Sequence, residues 1–200
     1  MMIQNKNTDS INVMHLIKPN TIGAEIGVWK ANTSLMFLSK KIKKLYMIDP
    51  YAVDNYEYLG EEYMQNFYSK YSKLTGEFSK GGFMRYYDQV YKEVLEKVKD
   101  HSAAELCRMT SDVWFEKNKG IKLDWIYIDG DHSYPQTKKD LNNSLKVVKS
   151  GGHIIGDDYK WPNAKWGKEG TTKAVDEFLK QNTHLHMFRS GMTQFHIAIP

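Results

Sequence analysis

Short apolar runs alternate with stretches of helical period along most of the chain. Residues 21–27 (TIGAEIG), 44–49 (KLYMID), 104–109 (AELCRM), 123–129 (LDWIYID) and 152–156 (GHIIG) read as strands. Residues 32–41, a long segment from about 61 to 99, residues 112–119, 135–149 and 172–181 read as helices. Strands separated by helices pair in parallel, so the pattern predicts an α/β fold with a doubly wound, mostly parallel sheet. Ser133 with Gln136 three residues on, and Pro135 between them, predicts a capping-box helix start, and Ser150-Gly151-Gly152 the end of that helix. Residues 184–189 and 193–199 flank Ser190-Gly191-Met192, which predicts a terminal β-hairpin and hence an antiparallel strand at the end of the sheet.

One segment breaks the rhythm. Residues 50–101 separate the second and third strands, far more chain than one crossover helix requires. Phe83, Tyr86, Tyr87, Val90, Tyr91, Val94, Leu95 and Val98 follow a helical stripe, whereas the first half is rich in tyrosine and weakly periodic. Gly76, Gly81 and Gly82 are expected to separate the halves. Nine of the 13 tyrosines lie between residues 51 and 91. The chain is read as one domain over residues 1–200 carrying this helical insertion.

Composition narrows the class. Lys+Arg 28 against Asp+Glu 24 gives a net +4, short of the charge of a dedicated nucleic-acid binder. The one dense basic run, Lys40-Lys41-Ile42-Lys43-Lys44, falls at a helix C-terminus, where cations offset the dipole. A single cysteine, Cys107, forms no internal disulfide and favours a reducing compartment. The start, MMIQNKNTDS, has no apolar signal core, and no apolar run approaches the ~20 residues of a membrane span. The expectation is a soluble, cytoplasmic protein with no membrane partner.

In open parallel sheets ligands bind beyond the carboxyl ends of the strands, so the strand exits carry the candidate chemistry. The first gives Glu25-Ile26-Gly27-Val28-Trp29-Lys30-Ala31-Asn32-Thr33-Ser34, in which Gly27 allows a tight turn and Asn32 or Thr33 is expected to cap the next helix. Asp49 ends the second strand, placed to accept hydrogen bonds from a ribose. The third leads to Thr110-Ser111-Asp112, the fourth ends in Asp129-Gly130-Asp131-His132, and the fifth in Asp157-Asp158-Tyr159. The G-x-G-x-x-G of a dinucleotide fold is missing, since Trp29 and Asn32 stand where the later glycines would fall. That leaves room for a nucleoside ligand without a pyrophosphate. Asp129, Asp157 and Asp158 would converge from neighbouring strands, and three carboxylates together call for protons or a cation, with oxygen ligands favouring Mg²⁺. His132 beside them is a candidate base.

Together these exits resemble a class I S-adenosylmethionine-dependent methyltransferase, in particular the small-molecule and sugar O-methyltransferases. Glu25–Ala31, Ile128–Tyr134 (IDGDHSY), Gly151–Asp158 and GTTKAVDEF at 170–178 carry the resemblance, which covers about residues 20–180 outside the insertion. It implies a seven-stranded sheet with an antiparallel seventh strand. By it, Glu25, Gly27, Val28, Ala31, Asn32, Thr33 and Ser34 would hold the methionine part of the cofactor and Asp49 its ribose. Ser111 or Asp112 would lie near the adenine, and Asp131 counts with the cofactor-binding residues. Asp129, Asp157 and Asp158 would bind a divalent cation such as Mg²⁺, with Asp129 and His132 catalytic. His132 stands where relatives with phenolic substrates often carry a lysine, and Ala31 replaces a commoner glycine.

Two rival readings are weighed against this one. Tyr134-x-x-x-Lys138 has the spacing of a nicotinamide-dependent oxidoreductase pair, but the phosphate-turn glycines are absent. An RNA-directed methyltransferase or binding module lacks a recognisable RNA-binding appendage. Under the favoured reading the acceptor is a hydroxyl of a small molecule or sugar. The tyrosine-rich stretch is then a lid or a homodimer contact over the acceptor site, against the simpler role of an extra packing layer. Trp161 and Trp166, just past the acidic exit, would close over the acceptor or anchor their loop.

Overall fold

A computed structural model describes residues 12–53, 60–160 and 169–200. The elements run β1 (Ile22–Ile26), α1 (Asn32–Ser39), β2 (Lys44–Ile48), α2 (Glu61–Thr75), α3 (Lys80–Val98), β3 (Ala104–Cys107), α4 (Ser111–Lys117), β4 (Leu123–Ile128), α5 (Tyr134–Val147), β5 (Val148–Gly156), α6 (Glu169–Gln181), β6 (His186–Ser190) and β7 (Gln194–Ala198). The strands form one seven-stranded sheet in the order β3-β2-β1-β4-β5-β7-β6. The first five are parallel, and β7 pairs antiparallel with both β5 and β6. The doubly wound sheet and its terminal hairpin are therefore as the periodicity indicates.

Alternation along the central strand divides the core. Ile126 and Ile128 of β4 face the layer built by Trp114 and Phe115 of α4, Leu141 of α5, and Val175 and Phe178 of α6. Trp125 and Tyr127 face the other side, against Phe37 and Leu38 of α1 and Val90, Val94 and Val98 of α3. Both faces of the strand are thus apolar, as a central parallel strand requires.

The insertion forms α2 and α3. The C-terminal half of α3 joins the core of the sheet, while Phe83 near its start packs with Val53, Met64 and Tyr68 in a separate aromatic cluster. Of the predicted α3 stripe, Leu95 is exposed because its position turns outward from both clusters. Gly76 ends α2, but Gly81 and Gly82 lie inside the first turn of α3, whose cap is Ser79 accepting from the Gly82 amide at 3.0 Å. Ser133 caps α5 as expected, accepting from the Gln136 amide at 3.4 Å. That helix ends at Val147, before Ser150-Gly151-Gly152, which instead sit in a register shift of β5 between Leu123↔Val148 and Trp125↔His153.

The ladder continues past the strand ends. The Gly27 amide donates to Ile48 O (2.9 Å), Asp129 to Ile26 O (2.8 Å), Asp157 to Ile128 O (3.1 Å) and Asp49 to Cys107 O (3.2 Å). Gly27 has φ +90°, and a Cβ there would lie 2.1 Å from the Asp129 carbonyl oxygen. Two constraints therefore exclude a side chain: left-handed backbone and close contact with the neighbouring exit. Gly27→Ala should destabilise the fold by about 3 kcal/mol or more, measured as a lower urea midpoint at unchanged slope.

Candidate active site

The loop after β1 is held by the exit of β2. One oxygen of Asp49 accepts the amides of Val28 (3.0 Å) and Trp29 (2.9 Å), and the other accepts the Tyr51 amide (2.8 Å). The Tyr51 hydroxyl returns to the Trp29 carbonyl at 3.0 Å. Burial raises the Asp49 pKa, and the three amides partly oppose it. Asp49 therefore organises the turn with the carboxylate expected to meet a ribose. Neither Asn32 nor Thr33 caps α1. Ala31 occupies the cap position with φ 61°, in the left-handed region, and Asn32 is the first helical residue. Beneath the turn the Ser34 hydroxyl donates to Glu25, whose carboxyl is buried and, chiefly by that burial, held well above the usual carboxylate range.

A second group forms where β3 leads into α4. The Thr110 hydroxyl caps α4 by accepting from the Val113 amide at 3.3 Å. Ser111 donates to Asp140 of α5 at 2.6 Å, and the Gln136 side-chain amide reaches Ser111 (3.1 Å), Asp112 (3.3 Å) and Asp140 (3.2 Å). Asp112 also pairs with Lys139 at 3.0 Å. The sequence pattern singles out Gln136 only as part of the capping box and does not single out Asp140. Their signal was available: two polar residues four apart on a helix, one at a position its apolar neighbours bury.

Beyond β4 and β5, Asp129, His132 and Asp158 offer ligand atoms that all lie within 4.8 Å of one another. His132 Nδ1 is 3.1 Å from an Asp158 oxygen, and Nε2 is 4.0 Å from Asp129. Asp158 is buried and has φ 63°. Its neighbour Asp157 turns elsewhere. One Asp157 oxygen accepts the Asp158 amide (2.7 Å) and the Thr193 hydroxyl (2.6 Å), and the other accepts the Tyr127 hydroxyl (3.3 Å). The structure thus brings together two of the three expected aspartates and puts His132 in the third place. Asp131 faces its own loop, accepting the Ser133 amide at 2.9 Å.

α6 borders this cluster. A Cβ on Gly170 would lie 2.6 Å from the His132 carbonyl and 2.5 Å from the Tyr134 nitrogen, so a glycine at the start of α6 lets that helix press on the loop carrying His132. Burial, then the charge of Asp131, raises the Tyr63 hydroxyl pKa. Trp161, Trp166, Tyr56 and Tyr58 lie outside the described residues. Tyr134 and Lys138 are engaged with α6: the tyrosine hydroxyl donates to Glu177, and Lys138 reaches both that hydroxyl (2.9 Å) and Glu177 (3.1 Å). The oxidoreductase pair is a clamp between helices.

The strand order reverses between β1 and β4, the point at which doubly wound α/β folds bind ligands in a crevice outside the carboxyl ends of the strands. The sequence profile of the methyltransferase domain family matches residues 24–159, and the chain belongs to that family. An uncharacterised protein of Acanthamoeba polyphaga mimivirus is 30% identical over 137 residues, 68% of this chain and 50% of that one. The chain thus spans about half the length of the curated relative it matches. A protein assigned as a methyltransferase from Streptococcus mutans, solved with S-adenosylhomocysteine, superposes with a TM-score of 0.61 at 12% identity over 98% of each chain. A protein assigned as an O-methyltransferase from Klebsiella pneumoniae gives 0.61 at 14% over 100% of this chain and 83% of that one. One assigned as an rRNA methylase from Clostridium thermocellum gives 0.61 at 12% over 99% of each. At these identities the likeness is one of fold. Among the described residues no helix is long and apolar enough to cross a membrane.

The Asp140 carboxyl has a testable titration. Burial lifts its pKa to about 7, against the opposing hydrogen bonds of Ser111 and Gln136. The unfolded chain releases this proton near pH 4, so Asp140 stabilises the fold fully below that pH and its contribution is lost as pH rises through about 7. Relative to the wild type, Asp140→Asn should gain about 1.4 kcal/mol per pH unit across that window, read from urea unfolding at several pH values.

Proposed function

We propose that the chain transfers the methyl group of S-adenosylmethionine to a hydroxyl oxygen of a small molecule or sugar. The observation that carries this is the convergence of Asp129, His132 and Asp158 at the crevice beside the β1 and β2 exits. The Asp49-held turn, with Gly27, Val28 and Ala31, would cradle the methionine and ribose parts of the cofactor, and the uncapped first turn of α1 (Asn32, Thr33, Ser34) would face its carboxylate. Glu25 and Asp131 would support that turn and the adjoining loop. Ser111, Asp112 and Gln136 would meet the adenine, whose exocyclic nitrogen needs acceptors and whose ring nitrogens need donors.

A sulfonium methyl is already activated, so the protein must orient the acceptor and remove its proton. Asp158 beside Nδ1 orients the imidazole and leaves Nε2, which faces Asp129, to take the proton. Two carboxylates and an imidazole also fit a divalent cation; held by Asp129, His132 and Asp158, it would supply a Lewis acid that acidifies the acceptor hydroxyl, with His132 then a ligand and not the base. Imidazole in place of a third carboxylate favours a first-row transition ion over Mg²⁺. Asp157, turned towards Thr193 and Tyr127, would support this cluster from behind. The tyrosine-rich insertion would close over the acceptor.

Calorimetry with S-adenosylhomocysteine tests the cofactor half: micromolar binding that survives His132→Gln supports it, and no binding overturns it. With an acceptor in hand, His132→Gln should lower kcat by about 10²–10⁴. Loss of turnover in EDTA, restored by Mn²⁺, supports the cation; full activity in EDTA assigns proton removal to the side chains alone.

A further inference from the structure

Past the acidic exit the chain turns sharply. Lys160 has φ 53°, and its amide donates to the Thr172 hydroxyl at 2.8 Å, which pins the residue against the start of α6. β7 runs beside β5, with Gly156 opposite Phe195, and the Tyr159 amide donates to the Thr193 carbonyl at 2.8 Å. This pairing carries the β6–β7 turn to the same edge as Asp158. Arg189 bridges that turn by donating to the Met192 carbonyl at 2.6 Å. Lys160 and Arg189 then stand over one aromatic ring, that of Tyr159, at 5.4 Å and 5.9 Å from its centroid. Together with Gly191 and Met192 they line an open cavity of about 480 Å³.

Of the three arginines, Arg85 and Arg108 each pair with a carboxylate. Among the described residues Arg189 and its neighbour Lys160 form no such pair. Asp176, the acidic group at Tyr159, is engaged by the phenol hydroxyl at 2.9 Å. Two cations from separate elements thus converge on a cavity whose described lining has no acidic residue. Two residues of chain put the Lys160 Cα within about 7 Å of that of Asp158, so an occupant could reach the proposed reaction centre.

We propose that Lys160 and Arg189 bind a phosphate or diphosphate group carried by the methyl acceptor. A guanidinium fork with a point-charge ammonium is the donor set for phosphate oxygens. The volume falls within the range of small-molecule sites, and Met192 offers an apolar surface to the group bearing the phosphate. A pair of cations suits the phosphate or diphosphate of a small molecule, whereas a nucleic acid calls for a longer basic track. The inference rests on the methyl-transfer reading for the identity of the occupant as acceptor.

The test titrates inorganic pyrophosphate and, separately, S-adenosylhomocysteine into the full chain and its Lys160→Gln and Arg189→Gln variants. Pyrophosphate should bind the wild type, and each substitution should weaken it about tenfold, the loss of one charge-assisted contact. Unchanged S-adenosylhomocysteine affinity in the variants shows that they are folded. Absent pyrophosphate binding, or binding indifferent to both substitutions, overturns the anion site. A short single-stranded RNA that binds through the same two residues where pyrophosphate does not would also overturn it. Pyrophosphate binding without any S-adenosylhomocysteine binding overturns the methyl-transfer reading and leaves the anion site standing.

Discussion

The contact between Gly27 and the Asp129 carbonyl is the constraint on which the crevice depends. β1 and β4 are neighbours that diverge into different loops, and their exits must stay within hydrogen-bonding distance while doing so. The Asp129 amide binds Ile26 O at 2.8 Å, and its carbonyl lies where a Gly27 side chain would be. One side of this junction leads to the turn held by Asp49 and the other to the loop carrying His132. A bulkier residue at Gly27 would push apart the two halves of the site.

Strain follows the same edge. Among the described residues seven non-glycine positions have positive φ, and five of them (Trp29, Ala31, Tyr51, Asp158 and Lys160) lie at exits of β1, β2 and β5. Such conformations cost of order 1–3 kcal/mol each and persist where surrounding contacts over-determine them. Here those contacts are visible: three amides on Asp49, the Tyr51 hydroxyl on Trp29, and the Asp157 carboxylate accepting the Asp158 amide. The other two, Asn20 and Lys41, lie away from these exits, joined by the Asn20 amide on Lys41 O. The fold's unfavourable backbone is thus concentrated where ligands would bind.

Most of the architecture was legible because it rests on local periodicity. Five parallel strands, the helices between them, the Ser133 cap and the terminal hairpin each have a pattern of their own. The places where the reading slipped are places where a short segment has two local solutions. Gly151-Gly152 suit a helix end or a strand irregularity, and pairing of β5 with β4 selects the second. Asn32 suits a helix cap, yet Ala31 takes that position because the turn between Gly27 and α1 is already tied to Asp49. The tyrosines were legible only as an excess; their division into a layer on the sheet and a cluster with α2 comes from packing.

By itself the sequence determined the fold class and the family, since these follow from alternation and from residues adjacent in the chain. Tertiary structure alone decided which of those residues meet. Asp157 and Asp158 are neighbours in sequence, but the backbone reverses hand at Asp158, sending one carboxylate to Thr193 and Tyr127 and the other to His132. Asp140 and Ser111, and likewise Lys160 and Arg189, are 29 residues apart, so no local pattern pairs them. Each pair meets because strand pairing and helix packing, set by apolar burial far from the site, bring their loops to one edge of the sheet.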